Sequence, residues 1–295
     1  MSTLSLATGL VLMRLLAVVL ETVLIHLQVV RGSYELKDSL ASIAMRIGQY
    51  VVNNVLIVAI AVWPFTYLYN HRLTTISATS VWAWAALVVL DDFAYYVFHR
   101  ASHECRFWWA AHVNHHSSTH YNLSTAARQS WTGVLVGTWA PWYVLAWIGF
   151  SPTMIFIQSG INLFYQFWLH TEAVDKCPAW FEAIFNTPSH HRVHHAANPR
   201  YLDRNYAGMF IIWDKLFGTF QEERAADPCQ YGLIHNIESY NPIVIAFHEW
   251  VALIRDVAHS QSWSEAWHRL FGPPGWQPDG EGPTAANLRR QAGLG

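Results

Sequence analysis

The sequence predicts an all-α, integral-membrane bundle of about four to five transmembrane helices with a cytosolic helical cap, and three observations carry that fold class. Only 13% of the residues are charged while 53% are hydrophobic, against roughly 25% charged in an ordinary soluble domain. Five apolar runs approach the ~20 residues that a helix needs to cross a bilayer. The lysines and arginines are distributed asymmetrically about those runs. Sixteen Trp and thirteen Tyr fit the same class, because their rings favour the water–lipid boundary. A net charge of −2 offers no basic surface for nucleic acid.

The first run is Leu4–Val30, interrupted by Arg14, Glu21 and His26. The second is Val51–Tyr69, and the third is Thr79–Phe98, with Asp91 and Asp92 inside it. The fourth and fifth are Trp131–Phe150 and Ile155–Leu169, joined through Ser151 and Pro152 as a tight helical hairpin. If the third run exits on one face, Arg100–Ser130 lies there, and the hairpin returns everything after His170 to that face. Sixteen of the eighteen basic residues then share one side, with Arg14 inside the first run and Arg72 opposite. The positive-inside rule makes that side cytoplasmic, at a bacterial inner membrane or an endoplasmic reticulum.

Three units follow from this pass: N-terminal membrane helices over 1–78, a chemistry-bearing unit over 79–240, and a terminal portion over 241–295. The last opens with an amphipathic helix, Pro242–Val257, whose Ile243, Val244, Phe247, Val251 and Ile254 recur at helical spacing. From Gly272 the chain is rich in Gly and Pro and is expected to be loose. Cys105, Cys177 and Cys229 form no CxxC pair, so they suggest neither a thiolate zinc site nor a redox couple.

Seventeen histidines matter more by spacing than by number. His99 and His103 form HxxxH; His112, His115 and His116 form HxxHH; His191, His194 and His195 repeat HxxHH, preceded by His190. Residues at i, i+3 and i+4 share a helix face, so each cluster aims its imidazoles in one direction. Imidazole is a ligand for iron, zinc, copper and nickel. Eight such rings are too many for one ion and suit two. His170, at the end of the fifth run, is a ninth candidate and His190 a tenth. No spacing supports His120, His235, His248, His259 or His268, which read as polar anchors. A zinc-protease HExxH is absent, as are the paired Glu-x-x-His units of soluble di-iron bundles.

Carboxylates that orient ring N–H groups and balance charge are expected around such a centre. Asp91, Asp92, Glu104, Glu172 and Asp203 are the candidates by position. Asp92 leads, because it shares the His99 face of an otherwise apolar helix, where a free carboxylate is costly.

At these residues the chain resembles the sterol desaturase/fatty acid hydroxylase superfamily, and within it the alkylglycerol monooxygenase branch. The runs that carry the resemblance are FHRASHE at Phe98–Glu104, WAAHVNHHSSTHYNLSTAARQS at Trp109–Ser130 and NTPSHHRVHHAANPRYLDRNYAG at Asn186–Gly208. IIWDKLFGTF at Ile211–Phe220 and YGLIH at Tyr231–His235 agree. The resemblance spans roughly Asp91 to Tyr240, about half of the chain; the segments outside it, which would shape a lipid tunnel, do not visibly match. It implies that residues 79–240 are a hydroxylase/desaturase-type catalytic unit whose histidines, His170 and His190 included, ligate two iron ions in the cytosolic cap. It implies that Glu104 matches the acidic residue after the first motif, and Asp92 and Glu104 stand as the catalytic candidates.

Dioxygen is the implied co-substrate and a bilayer lipid the implied substrate. The implied electron source is tetrahydrobiopterin in the alkylglycerol branch, or a cytochrome b5 or ferredoxin system elsewhere in the superfamily. The expected reaction is hydroxylation of a lipid C–H bond, with the ether-adjacent carbon of an alkylglycerol lipid as one target. Desaturation, or hydroxylation of a sterol, ornithine lipid, carotenoid or fatty acid, remains open. A histidine-rich metal-binding or transport protein is the non-enzymatic alternative. Transporters place such groups near the bilayer midplane, whereas these clusters lie beyond the ends of the apolar runs.

Overall fold

The computed structural model describes residues 3–294, the side chains of residues 3–7 and 56–59 excepted. Among the described residues it is helical, with three isolated β-bridges and no strand. Helix α1 is Thr3–His26 and α2 is Leu36–Ile57, followed by a π turn at Val58–Val62 and α3 at Trp63–Asn70. Helix α4 is Val81–Glu104, and α5 is Arg106–His116. After 3₁₀ turns at Thr125–Ala127 and Gly133–Val136 come α6, Ala140–Ile148, and α7, Pro152–Phe167. Short helices α8, Ala179–Ile184, α9, Pro188–His194, and α10, Ile212–Leu216, precede α11, Pro242–Ala258, α12, Trp263–Phe271, and α13, Ala285–Gln291.

Residues 8–26 of α1 and the whole of α4 are long and apolar enough to cross a membrane; a third span results if α2 and α3, bent by 64° at their junction, count as one. That is fewer than the four to five expected. The run Trp131–Phe150 accounts for part of the difference. It is broken by Gly137 in a left-handed conformation (φ 73°), and Pro141 opens the nine-residue α6. Proline favours the first turn of a helix and ends propagation from its N-terminal side. Helix α2 also starts fifteen residues before Val51, because Lys37, Asp38 and Arg46 mask its first turns from an apolar-run reading.

Helix α4 has no Gly or Pro from Val81 to Glu104, and the Ser80 hydroxyl caps it by accepting from Ala83 N at 3.3 Å. It therefore runs past Phe98 and carries His99 and His103 on its last turns. The Ser151 hydroxyl caps α7 in the same way, with Pro152 at its first position. Phe65, Leu87, Trp142 and Ile155 are buried where α3, α4, α6 and α7 pack together. The α6–α7 corner meets the end of α3, where Leu73 N donates to Trp147 O at 2.8 Å and Ile76 N to Gly149 O at 3.2 Å.

Asp91 ties α4 to α6 and α7, and Asp92 ties it to the loop after α9. Asp91 accepts from the Trp142 indole at 2.6 Å and the Ser159 hydroxyl at 2.5 Å. Asp92 accepts from Met209 N, Phe210 N and the Trp213 indole. Gly208 lies against this knot: a Cβ there would stand 2.6 Å from Asp92 Oδ1 and 2.7 Å from Asn162 Oδ1. Gly208→Ala is expected to destabilise the protein by ~1–3 kcal/mol through overpacking, read as a lowered midpoint of thermal unfolding.

The segment from Gly272, expected to be loose, is packed. Gly272 O accepts from Arg106 N at 2.9 Å, Asn287 Nδ2 donates to Gly280 O and Gly282 O, and the Arg289 guanidinium donates to Leu202 O. Local backbone and side-chain hydrogen bonds thus order a strap that the Gly and Pro content alone reads as free.

Candidate metal centre

Nine histidines converge in two adjoining groups. His99, His103, His112, His116 and His194 form the first; His115, His170, His191 and His195 form the second. Within each group the ligating nitrogens lie within 4.8 Å of one another. Eight of the nine residues are buried and His112 is half-buried. His190 stands outside both groups. Its Nε2 is 3.9 Å from Glu182 Oε2, and its ring packs edge-on against Phe220.

The groups cut across the sequence clusters. From α5, the i and i+4 pair His112 and His116 joins the first group, while His115 at i+3 joins the second. At α9 the sense is reversed: His191 and His195 serve the second group and His194 the first. Each HxxHH unit therefore straddles both groups, and His116 stacks on His195 across the boundary at 4.3 Å between centroids.

Backbone carbonyls, more than carboxylates, orient these rings. His99 Nδ1 lies 2.8 Å from Tyr206 O, His115 Nδ1 3.1 Å from Arg128 O, His170 Nδ1 3.0 Å from Gln166 O and His194 Nδ1 3.0 Å from Arg204 O. A carbonyl only accepts, so each of these Nδ1 atoms carries the proton and each Nε2 of a neutral ring presents a lone pair. Burial pushes the His115 ring down to about 4 and holds His116, His170, His191, His194 and His195 well below the usual histidine range. Those rings are neutral near pH 7, the state in which imidazole ligates a metal.

The Nε2 atoms then face one another. His115 Nε2 and His170 Nε2, both lone-pair donors, are 3.3 Å apart, and His170 Nε2 is 3.2 Å from His191 Nε2. His112 Nε2 lies 3.1 Å from His99 Nε2 and 3.2 Å from His116 Nε2. The Nε2 atoms of His103, His194 and His195 are buried without a hydrogen-bond partner. Facing lone pairs repel unless a cation lies between them. Metal–nitrogen bonds of ~2.0–2.1 Å place neighbouring ligand nitrogens about 3 Å apart. The donor set fits a pair of metal ions.

The carboxylates sit further out. Asp203 Oδ1 is 3.7 Å from His103 Nδ1. Glu104 accepts from the Arg100 guanidinium at 2.9 Å and the Tyr206 hydroxyl at 3.3 Å and touches no histidine. Asp92 acts at one remove, fixing the loop whose Tyr206 carbonyl holds His99. Glu172 accepts from the Tyr231 hydroxyl at 3.1 Å, and Tyr231 stacks on Tyr121, itself stacked on His170. Two supports were not singled out in the sequence, although Asp214 and Arg128 lie within the motif runs. Asp214 accepts from Tyr206 N and Ala207 N, each at 2.8 Å. Buried Asp38 and Arg128 pair at 2.5 Å, fixing the carbonyl on which His115 rests.

His190→Gln is expected to leave the metal content per chain unchanged and to lower turnover by no more than about a hundredfold, the range for residues beyond the ligands. Metal analysis beside an activity assay separates this from loss of a ligand.

A cavity of about 490 Å³ opens over the centre. His103, His116 and His194 form its floor, α11 contributes His248, Glu249 and Asp256, and the strap contributes Trp276 and Gln277.

The fatty acid hydroxylase family model matches residues 84–219. The alkylglycerol monooxygenase of Homo sapiens is 40% identical over 223 residues, 72% of this chain and 47% of that protein. That of Caenorhabditis elegans is 38% identical over 230 residues, 75% of this chain and 45% of that protein. An ornithine lipid hydroxylase of Rhizobium tropici is 31% identical over 138 residues, 45% of this chain and 40% of that protein. The chain spans about half the length of the alkylglycerol monooxygenases it matches. No solved structure gives a significant match.

Proposed function

Since this chain belongs to the fatty acid hydroxylase family, we propose that it is a membrane di-iron oxygenase that hydroxylates a lipid C–H bond with O2. The ether-adjacent carbon of an alkylglycerol lipid is the leading target. The observation that carries this reading is the pair of imidazole groups whose Nε2 lone pairs converge at 3.1–3.3 Å. The ~40% identity to proteins described as alkylglycerol monooxygenases supports the substrate class.

Zinc has no redox chemistry, whereas bound iron would supply the oxidant that an unactivated C–H bond requires. The chain's own residues prepare the place for it. Burial keeps the rings neutral, and their protonated Nδ1 atoms on fixed carbonyls leave the Nε2 lone pairs free to ligate. Fixed ligand orientation limits reorganisation during turnover. Asp203 is the carboxyl beside His103, and burial pushes it up to about 7. The cavity above His103, His116 and His194 gives the reacting carbon room beside the first group. Fifteen of the eighteen basic residues, with Arg14 and Arg46 inside α1 and α2 and Arg72 opposite, fall on the side of the histidines and support a cytoplasmic site. Electrons would come from tetrahydrobiopterin or from a cytochrome b5 or ferredoxin system.

The test is metal analysis of the purified full chain together with turnover of a 1-O-alkylglycerol under O2 with tetrahydrobiopterin. The expected result is two irons per chain and O2-dependent product. Zinc alone, with no oxidation, would sink the reading. Strict dependence on a ferredoxin or cytochrome would reject the alkylglycerol branch and keep the family.

A further inference from the structure

Helix α11 has two working faces. Its inner side, through His248, Glu249 and Asp256, lines the cavity over the histidines. Its outer side carries Ile243, Val244, Phe247, Val251 and Ile254 in one stripe, all exposed, Ile254 by 66%. Helix α12 packs beside it and adds Trp263, 93% exposed, and Trp267, 64% exposed. So many large apolar side chains exposed on two neighbouring helices mark a contact surface.

The depth of this patch identifies what covers it. Asp38 lies at the level of the histidines, since it holds Arg128 and Arg128 holds His115. Met45, seven residues along α2, lies ~10 Å further along that helix, which is the first leg of a candidate span. Ile245 of α11 packs in one cluster with Ala41 and Met45. Trp131 donates to Met45 O at 2.8 Å and contacts Phe247, and the Trp250 indole donates to Thr132 Oγ1 at 3.0 Å. These residues sit on the segment that descends from the histidine layer to α6. That descent is long, because α6 rises only ~14 Å from the far corner whereas α7 rises ~24 Å from the same corner. On α2, the first leg of a candidate span, Leu40, Ile43 and Ile47 are exposed as well. Amphipathic helices in a bilayer interface embed ~5–10 Å, and tryptophan favours that boundary.

We propose that α11 and α12 form an in-plane ledge embedded in the leaflet on the histidine side, with bilayer lipid as its occupant. One helix, α11, then separates the leaflet from the cavity over the metal centre, and substrate passes around it. This route rests on the lipid-oxygenase reading, whereas the embedding does not.

The test uses the full chain in phosphatidylcholine vesicles containing a trace of phosphatidylcholine with a diazirine on its acyl chain. After irradiation, adducts are mapped by peptide mass spectrometry. The expected result is adducts on Val251, Ile254, Trp263 and Trp267 as well as on α1, and none on the strap Gly272–Gly282. A Val251→Asp/Ile254→Asp variant, which alters only exposed positions, is expected to lose the adducts on Trp263 while keeping those on α1. Adducts confined to α1 and α4, or unchanged labelling of Trp263 in the variant, would each overturn the proposal. No readout needs turnover, so a failed lipid-oxygenase reading would leave the labelling result intact.

Discussion

Replacing His194 with alanine is expected to abolish turnover and strip metal from the protein while the chain stays in the membrane. His194 is the ring that α9 sends to the first group, and its Nε2 is buried without another partner. Removing it deprives the first group of its only donor from that helix. The neighbouring rings His99 and His103, centred 4.4 Å and 4.7 Å away, then lose the anchor between α4 and α9. Membrane fractionation with metal analysis and a turnover assay checks all three parts. Retained metal and retained turnover would refute the ligand role.

Asp38→Ala is the second large effect, through stability. The Arg128 guanidinium is 2% exposed and donates to Asp38 Oδ1 at 2.5 Å, with Ser42 and Ser117 as further partners. Removing the carboxylate leaves a buried charge uncompensated, at a cost of ~3–5 kcal/mol. Because Arg128 also holds His115 through its carbonyl, metal in the second group is expected to fall as well. Asp38→Asn keeps an acceptor and is expected to lose less. Thermal unfolding in detergent, beside metal content, ranks the variants; an Asp38→Ala protein as stable as the parent would contradict the account.

Eight of the nine grouped histidines stood out in the sequence because residues that share a helix face repeat at three or four positions, and His170 stood out by its place at the end of the fifth run. His190 was included because an HH doublet does not reveal which ring faces inward. The division into two groups was not legible, since HxxHH does not say whether i or i+3 meets a given neighbour. The carbonyl tethers from Tyr206, Arg128, Gln166 and Arg204 leave no trace in side-chain identity, so the expectation settled on carboxylates. Asp92 was chosen for its helix face, and its carboxylate meets the backbone of the Met209–Phe210 loop and not a histidine. Asp38 and Arg128, ninety residues apart, carry no local pattern. In the fold, α4 and α7 were readable from apolar content and from the Ser151-Pro152 turn. The start of α2 was hidden by its charged first turns, and the strap by tertiary hydrogen bonds that composition does not encode.

The crossed allegiance of the two HxxHH units has a bearing on assembly. An ion entering one group orders α5 and α9, and so pre-aligns rings that the other group needs. The second ion therefore meets a site whose ordering entropy has already been spent. Filling is expected to be all-or-none along a titration, with singly loaded chains scarce and the apo form loosened at both helices together.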